Sequence, residues 1–323
     1  MMGLKITPRE LGLQSTAKGV GCLFFGLHPA PRHCRLHCAP LRSGNHLMPL
    51  IERYFAGKTA AISGAGDGIG RALSQRLNAA GCHLWLSDIN PETLADTCAL
   101  LDDSKGRVTS QVVDCGQRNA LFSWAEAVST DTASLDALFN NAGVAYGARF
   151  ADSSEENFEW LIDINFWGVV HATRAFLPLL TQAERGHLVN LSSIFGMVGI
   201  PTQSAYNAAK FAVRGFSESL QAEYLDSNLF VSSVHPGGVQ TNIARSARTD
   251  GESSLATADA DERDQQFRRL AKTTPERAAD IILRGTARGK RRIMVGWDAW
   301  LILQLTKILP TRYHWITARV ADD

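Results

Sequence analysis

Short apolar segments alternate with segments of helical period from Lys58 to Val295 without a break. Each apolar segment has the length of a strand, and nearly every one is followed by a segment whose apolar residues recur at helical spacing. Strands that alternate with helices form a parallel sheet whose two faces are both covered by helices. The pattern therefore predicts an α/β domain built on one parallel sheet.

Right-handed crossover connections make such a sheet doubly wound, which is the single-domain Rossmann fold. The predicted strands are residues 59–63, 83–87, 107–114, 135–140, 187–191, 230–235 and 292–295. One predicted helix follows the turn 64–70 and one begins at the N-cap Asn90. The others cover residues 119–128, 155–180, 204–225 and 275–288.

A glycine-rich turn joins the first predicted strand to the first predicted helix. Glycine tolerates positive φ angles and lets the backbone approach a phosphate closely. The N-terminus of the following helix favours an anion. We therefore expect a dinucleotide pyrophosphate at this turn, which consists of Ser63, Gly64, Ala65, Gly66, Asp67, Gly68, Ile69 and Gly70.

Asp88 ends the second predicted strand, 18 residues after Gly70. A carboxylate at this place can accept hydrogen bonds from the ribose hydroxyls of NAD, whereas it repels the 2′-phosphate of NADP. Asp67 adds a second negative charge, and residues 65–67 and 87–90 contain no Lys or Arg. NAD is therefore the expected cofactor, and NADP is disfavoured.

Tyr206 and Lys210 lie four residues apart in a predicted helix, so their side chains share one face. Ser193 follows a predicted strand at the carboxyl edge of the sheet, where ligands bind in such folds. An ammonium about 4 Å from a phenolate attracts it by about 4 kcal/mol, enough to lower a tyrosine pKa from about 10 to about 7 or 8. Such a tyrosine can take the proton of an alcohol while a hydride leaves, with the serine holding the oxygen. Taken in isolation, the Tyr–Lys spacing also fits a surface pair.

Together these motifs resemble the short-chain dehydrogenase/reductase family, in its shorter single-domain branch, from about Phe55 to Val295. The glycine turn is similar to the family's cofactor motif, and residues 140–143 resemble its Asn-Asn-Ala-Gly signature. Residues 236–241 look like the loop that contacts the nicotinamide. The catalytic tetrad of the family is matched by Asn165, Ser193, Tyr206 and Lys210.

The resemblance implies an oxidoreductase that exchanges a hydride between a nicotinamide cofactor and an alcohol or carbonyl substrate. Tyr206 would be the general acid/base, and Ser193 would position the substrate. Lys210 would lower the tyrosine pKa and bind the nicotinamide ribose, while Asn165 would hold a water of a proton relay. The implied cofactor contacts are Ser63, Gly64, Asp67, Gly68, Ile69, Gly70, Asp88, Asp114, Cys115, Asn141, Ala142, Gly143, Tyr206, Lys210, Pro236, Gly237, Val239 and Thr241.

Two other functions use the same features. A sugar epimerase or dehydratase can employ the same Tyr–Lys pair, although such relatives usually have a larger C-terminal substrate domain. A non-catalytic dinucleotide-binding sensor or scaffold would have the same fold but would catalyse no reaction. The presence of all four tetrad residues favours the enzyme over the sensor.

Composition restricts the partners and the location of the chain. The 33 basic and 32 acidic residues nearly balance, so nucleic acid is not an expected partner. No run of 18 or more apolar residues occurs, which predicts no membrane-spanning helix. Six cysteines without repeated spacing predict free thiols and a cytoplasmic protein.

Residues 1–47 differ in composition from the rest, with six basic residues against one acidic residue. They are predicted to be a disordered extension or to precede a start of translation at Met48, and residues 48–323 to form one dehydrogenase domain. A secretory signal fits poorly because the apolar stretch is short and contains glycines. A less favoured alternative is a zinc cluster of His33, Cys34, His37 and Cys38.

Apolar residues occupy the positions expected beside the substrate, which favours a lipophilic alcohol, ketone or aldehyde, although core packing explains them almost as well. The polar segment 244–274 is predicted to be irregular and to close over the pocket as a lid, or to be disordered. The apolar segment 297–316 is expected to pack on the sheet or on a partner in a homodimer or homotetramer, or to lie on a membrane surface. The apolar residues beside the substrate are Val144, Ala145, Tyr146, Phe195, Met197, Val198, Ile200 and Pro201.

Overall fold

The computed structural model describes residues 49–251, 259–315 and 317. Within them, the predicted doubly wound α/β fold is confirmed, with one seven-stranded parallel sheet between two layers of helices. The predicted extension 1–47 and its candidate zinc cluster lie outside the described residues. In the described part of the chain, no group of His, Cys, Asp and Glu side chains is arranged to hold a metal ion.

The sheet has the strand order β3-β2-β1-β4-β6-β7-β9, and every neighbouring pair is parallel. The order reverses between β1 and β4, and doubly wound folds bind ligands in the crevice at such a point. Two short strands, β5 and β8, pair separately from the main sheet. The strands are β1 Thr59–Ser63, β2 His83–Asp88, β3 Val108–Val112, β4 Ala137–Asn140, β5 Tyr146–Gly147, β6 Gly186–Leu191, β7 Leu229–Pro236, β8 Arg248–Thr249 and β9 Arg292–Val295.

Apart from the helix predicted over 155–180, the predicted helices begin and end close to the predicted positions, and the helix Leu50–Phe55 was not predicted. The Asn90 side chain accepts hydrogen bonds from the first turn of α3, and Thr274 does the same for α9. The described helices are α1 Leu50–Phe55, α2 Gly68–Ala79, α3 Pro91–Ala99, α4 Arg118–Asp131, α5 Glu155–Ile162, α6 Gly168–Gln182, α7 Ser204–Glu223, α8 Ala260–Leu270, α9 Pro275–Ala287 and α10 Trp297–Ile308.

Two apolar layers hold the helices on the sheet. One contains Leu73 and Leu77 of α2 with Ile282 of α9, all fully buried. The other contains Trp124 of α4, whose ring meets that of Phe176 of α6 edge to face at 4.9 Å between centroids. These layers fix α2 and α7 relative to the carboxyl ends of the strands.

The predicted helix 155–180 is interrupted. Residues Asp163–Trp167 form one π-helical turn between α5 and α6. Such a turn inserts an extra residue into an α-helix and occurs frequently at functional sites. It contains Asn165, a residue of the predicted tetrad.

The prediction of an irregular segment over 244–274 was wrong for its second half. Residues Ala260–Leu270 form α8, which begins with a capping box between Asp259 and Glu262. Eight of its eleven residues are polar or charged, so no apolar period revealed it. Arg268 forms an i,i+4 ion pair with Asp264 and a hydrogen bond with Asn242, and Asp261 pairs with Arg245.

The apolar segment near the C-terminus forms α10, which packs against β9 through the buried Ala299. Of the helices in the described ranges, none combines the length and hydropathy needed to cross a bilayer.

Candidate active site

Tyr206 and Lys210 face the carboxyl end of β6 from one side of α7. The Lys210 ammonium lies 5.5 Å from the centroid of the Tyr206 ring. It donates a hydrogen bond to the carbonyl oxygen of Leu191, the last residue of β6, at 3.1 Å. Lys210 is buried, and Tyr206 is half-buried. The two side chains therefore lie against the carboxyl edge of the sheet and do not form a surface pair.

Ser193 follows β6 by two residues and lies beside this pair. Its hydroxyl is close enough to that of Tyr206 to act on the tyrosine pKa, which it lowers. The same Ser193 oxygen accepts a hydrogen bond from the backbone N–H of Phe195 at 3.1 Å. The Phe195 ring meets the Tyr206 ring edge to face, with centroids 6.0 Å apart. Serine and tyrosine hydroxyls thus lie together at the carboxyl edge of the sheet.

Asn165 projects from the π turn into the same region and is fully buried. Its amide accepts from the N–H of Val144 and donates to the carbonyl of Val144, both at 2.8 Å. A Cβ at Gly143 would lie 3.0 Å from the Asn165 amide oxygen and 3.4 Å from the Lys210 nitrogen. The structure therefore brings all four residues of the predicted tetrad together around Gly143 and the end of β6.

The ionisation of the pair differs from the expectation drawn from the sequence. Burial raises the pKa of Tyr206 to about 12, although its hydrogen bond with Ser193 acts in the opposite direction. Burial also lowers the pKa of Lys210 to about 8. Loss of water disfavours phenolate and ammonium alike, so the lysine alone does not make the tyrosine acidic. A bound oxidised nicotinamide would add a positive charge that favours the phenolate.

The turn between β1 and α2 has the shape of a phosphate cradle. Gly64 and Gly68 adopt φ angles of +65° and +52°, which favour glycine. Gly70 packs so closely against the carbonyl of Gly64 that a side chain would overlap it. Asp67 stands at the N-cap of α2 without a capping hydrogen bond, and its carboxylate accepts a hydrogen bond from the Asn242 side chain at 2.9 Å. This arrangement fits the pyrophosphate of a dinucleotide.

Asp88 lies at the end of β2 beside this turn. One carboxylate oxygen accepts from the N–H of Gly66 at 2.8 Å, and the other accepts from the N–H of Asn90 at 2.9 Å. The carboxylate is half-buried and retains lone pairs for further donors. Its position therefore fits a partner of the adenosine ribose.

Residues after β4 fasten the cradle to the sheet. The Asn141 amide donates to the carbonyls of Ser63 and Gly64 at 3.0 and 2.9 Å. The Ser63 hydroxyl accepts from the backbone N–H groups of Asn141 and Ala142, each at 3.1 Å. Hydrogen bonds between residues nearly 80 positions apart thus fix the end of β1.

The other predicted cofactor residues line the same edge. Asp114 follows β3 and accepts from the N–H of Gly116 at 2.9 Å, while the neighbouring Cys115 is buried. Thr241 approaches the glycine turn, because a Cβ at Gly68 would lie 2.7 Å from its methyl group. Val239 is buried and forms a bridge with Thr273. Ile69, the second residue of α2, is partly buried against the core.

Comparisons with known proteins agree with this geometry. Residues 58–252 match the family model described as short chain dehydrogenase. The chain is 42% identical over 267 residues to the Mycobacterium tuberculosis protein named Putative oxidoreductase SadH, covering 82% of this chain and 95% of that protein. The chain belongs to the short-chain dehydrogenase family.

Two further relatives bear on function. A solved short-chain dehydrogenase/reductase from Burkholderia phymatum, in complex with NAD, aligns with a TM-score of 0.71 at 28% identity, covering 80% of this chain and 95% of that chain. Human epidermal retinol dehydrogenase 2 is 35% identical over 178 residues, which are 55% of this chain and 58% of that protein. Both likenesses place this chain among oxidoreductases of the family.

His235 is a residue of this short-chain dehydrogenase that the sequence did not single out. It is fully buried at the end of β7, and its Nδ1 lies 3.0 Å from the carbonyl oxygen of Ser193. Its Nε2 lies 2.6 Å from the Ser233 hydroxyl. A carbonyl only accepts, so Nδ1 carries the proton, and burial lowers the pKa of His235 to about 4. A neutral histidine thus holds the backbone of the serine in place.

Asp298 was also missed, and it fixes residues 236–241, the loop that was predicted to contact the nicotinamide. Its carboxylate accepts from the N–H of Gly238 at 2.7 Å. The N–H of Gly237 donates to the carbonyl of Val295 at 2.9 Å, at the end of β9. The only signal in the sequence was an acidic residue within an apolar segment.

Asn207 holds the segment after Ser193 against α7. Its amide donates to the carbonyls of Phe195 and Val198, both at 2.7 Å, and accepts from the N–H of Ile200 at 3.0 Å. Three hydrogen bonds from one side chain therefore set the shape of residues 195–200.

Several of the apolar residues expected beside the substrate serve packing. Val198 is fully buried. The Tyr146 hydroxyl is hydrogen-bonded to Asp250 at 2.7 Å and to Ser153 at 2.8 Å. Phe195 and Val144 remain half-buried; the Phe195 ring meets that of Tyr206, and Val144 and Tyr206 pack against the same small apolar cluster.

Proposed function

We propose that this chain is an NAD-dependent dehydrogenase or carbonyl reductase acting on a lipophilic alcohol, ketone or aldehyde. The observation that carries the proposal is the convergence of Tyr206, Lys210, Ser193 and Asn165 at the sheet edge that also bears the glycine cradle. In the oxidative direction, an alcohol and NAD⁺ give a carbonyl compound, NADH and a proton. A bound NAD would supply the hydride acceptor, and residues of this chain would handle the proton.

Each tetrad residue has a role that its contacts support. The Tyr206 hydroxyl exchanges the proton with the substrate oxygen, which Ser193 holds through its own hydroxyl. The buried Lys210 ammonium stabilises the phenolate electrostatically. Asn165 fixes the loop after β4 through its two hydrogen bonds with Val144, and its proposed role is to hold a water of a proton relay.

The acidic residues around the turn support NAD as the cofactor. The Asp88 carboxylate lies beside the glycine turn and can accept a hydrogen bond from a ribose 2′-hydroxyl, whereas a 2′-phosphate there would meet a negative charge. Arg71, a cation that contacts the turn, is engaged with the carbonyl of Gly66 and the hydroxyl of Thr97. The Burkholderia phymatum relative was solved with NAD.

Aromatic and aliphatic side chains next to Tyr206 support a lipophilic substrate. Phe195 contacts the tyrosine ring, and Val144 follows the loop that Asn165 fixes. The similarity to a protein named for retinol, a lipophilic alcohol, points in the same direction.

Absorbance of reduced nicotinamide across a substrate panel tests the proposal. The panel contains secondary alcohols of increasing chain length, a retinoid, small polar hydroxy acids and nucleotide sugars, each with NAD and with NADP. We expect NAD-linked turnover with kcat/KM rising with chain length. Turnover of nucleotide sugars without net NADH would instead identify an epimerase, and tight NAD binding without turnover on any substrate would identify a sensor.

A further inference from the structure

The solvent-facing side of α10 is apolar. Trp297, Trp300, Leu301 and Ile308 are 66, 58, 50 and 76% exposed. They follow one another at spacings of three, one and seven residues, which places them along one face of the helix. Trp315, after the helix, is 65% exposed. We call these five side chains the tryptophan face.

Contacts on both sides of the active site hold this face in position. Asp298 in the first turn of α10 binds the N–H of Gly238 in the nicotinamide loop. Beyond the helix, the N–H of Gly199 donates to the Tyr313 hydroxyl at 3.4 Å, and the Thr317 hydroxyl donates to the carbonyl of Gly199 at 3.2 Å. Gly199 belongs to the segment that follows the catalytic Ser193. The tryptophan face therefore adjoins the mouth of the site.

The size of the face argues against a second copy of the chain as its sole partner. A whole Trp side chain offers about 250 Å². The exposed parts of the five side chains therefore amount to on the order of 600 Å². A stable interface buries about 800 Å² on each partner, whereas functional patches on monomers reach about 600 Å².

The chemistry of the face fits a lipid surface. Tryptophan favours the boundary between headgroups and acyl chains. Lys307 and Arg312 are exposed beside the apolar residues. Among the described residues from 297 to 315, the one acidic side chain is Asp298, and the loop engages it. An apolar face bordered by cations is typical of helices that lie in the plane of an anionic membrane surface.

We propose that the tryptophan face docks the protein onto an anionic membrane surface, with α10 parallel to the membrane. This binding does not depend on the proposed reaction. We also infer that a lipophilic substrate enters from the bilayer through the adjoining mouth of the site. This second inference rests on the proposed function as well.

Vesicle sedimentation of the full chain tests the docking, with zwitterionic vesicles and with vesicles that also contain phosphatidylglycerol. We expect the protein to bind the anionic vesicles more tightly. Trp300→Gln with Leu301→Gln should weaken vesicle binding by about tenfold or more, because it removes apolar area that enters the interface. Lys307→Gln with Arg312→Gln should weaken binding to anionic vesicles by about thirtyfold, at about 1 kcal/mol for each charge.

Leu100→Gln with Leu225→Gln is the matched control, since these side chains are 56 and 55% exposed elsewhere on the surface. It should bind vesicles like the wild type. Circular dichroism and NAD titration of each variant show that fold and cofactor binding persist. The proposal fails if the wild type binds neither kind of vesicle, or if Trp300→Gln with Leu301→Gln binds as well as the control. Loss of a dimer in that variant, without vesicle binding by the wild type, would assign the face to a second copy. Vesicle binding in a chain without turnover would leave the docking intact and refute only the proposed function.

Discussion

Replacing Asp88 by Asn should shift the cofactor preference from NAD towards NADP. At a separation of about 5 Å, a 2′-phosphate and the Asp88 carboxylate would repel by about 3 kcal/mol for two unit charges at an effective dielectric constant of about 20. Because Asp88 is half-buried, solvent screens part of this repulsion, and we take about half of it. The remaining 1.5 kcal/mol or so corresponds to about a tenfold change in the ratio of the two dissociation constants.

The substitution preserves most of the local structure. The Asn oxygen can still accept from the part-buried N–H of Gly66, while the exposed N–H of Asn90 turns to water. Titration of each nucleotide, followed by tryptophan fluorescence, gives both dissociation constants. Asp96→Asn, which removes the same charge from an exposed position on α3, should leave their ratio unchanged. A stable Asp88→Asn protein with the wild-type ratio would refute the ribose assignment of Asp88.

Three further predictions concern residues that support the site. Asp298→Ala should lower the free energy of unfolding by about 1–3 kcal/mol, because the N–H of Gly238 loses its hydrogen-bond partner. For the same reason it should raise KM for NAD more than it lowers kcat. A KM for NAD equal to that of the wild type would contradict this prediction. Asn207→Ala should raise KM for the alcohol with little change in NAD affinity, and steady-state kinetics with both substrates varied checks it. Burial lowers the pKa of His235 to about 4 and that of His187 to about 3, whereas the ordinary histidine pKa, taken for the unfolded chain, is 6.5. As the pH falls, these histidines are therefore protonated in the unfolded chain before they are protonated in the folded protein. Between pH 7.5 and pH 5, each histidine should therefore lower the free energy of unfolding, measured in urea, by about 2 kcal/mol. Over the same range, the free energy of unfolding of His235→Asn should fall by about 2 kcal/mol less than that of the wild type.

The order of strands and helices follows from local pattern, and it was predictable for that reason. Strand β9 has the predicted bounds, and β1 does as well. The glycine turn was equally visible, because its residues are contiguous and their conformational demands are local. Features that depend on two neighbouring stretches of chain can be inferred from the sequence.

Long-range contacts could not be inferred in this way. His235 binds the carbonyl of Ser193 across 42 positions, and Asp298 binds Gly238 across 60. No spacing rule links such residues before the sheet is assembled. The π turn at Asp163–Trp167 likewise depends on packing, since the sequence there continues the helical pattern.

The Tyr206 pKa shows the same limit in electrostatics. The spacing of Tyr206 and Lys210 predicted the attraction between their charges. It did not predict that both side chains lose contact with water on burial. Burial raises the pKa of Tyr206 to about 12 and lowers that of Lys210 to about 8. Burial thus outweighs the attraction in the protein alone.

The proposed reaction requires that the Tyr206 hydroxyl exchange the substrate proton beside a bound nicotinamide. The most direct measurement compares NAD affinity and single-turnover hydride transfer in the wild type and in Tyr206→Phe, which loses one hydroxyl and keeps the ring against Phe195. We predict unchanged NAD affinity and a rate lower by about 10²–10⁴, the usual contribution of a general acid/base. A Tyr206→Phe protein that transfers hydride within a few fold of the wild-type rate would contradict the account.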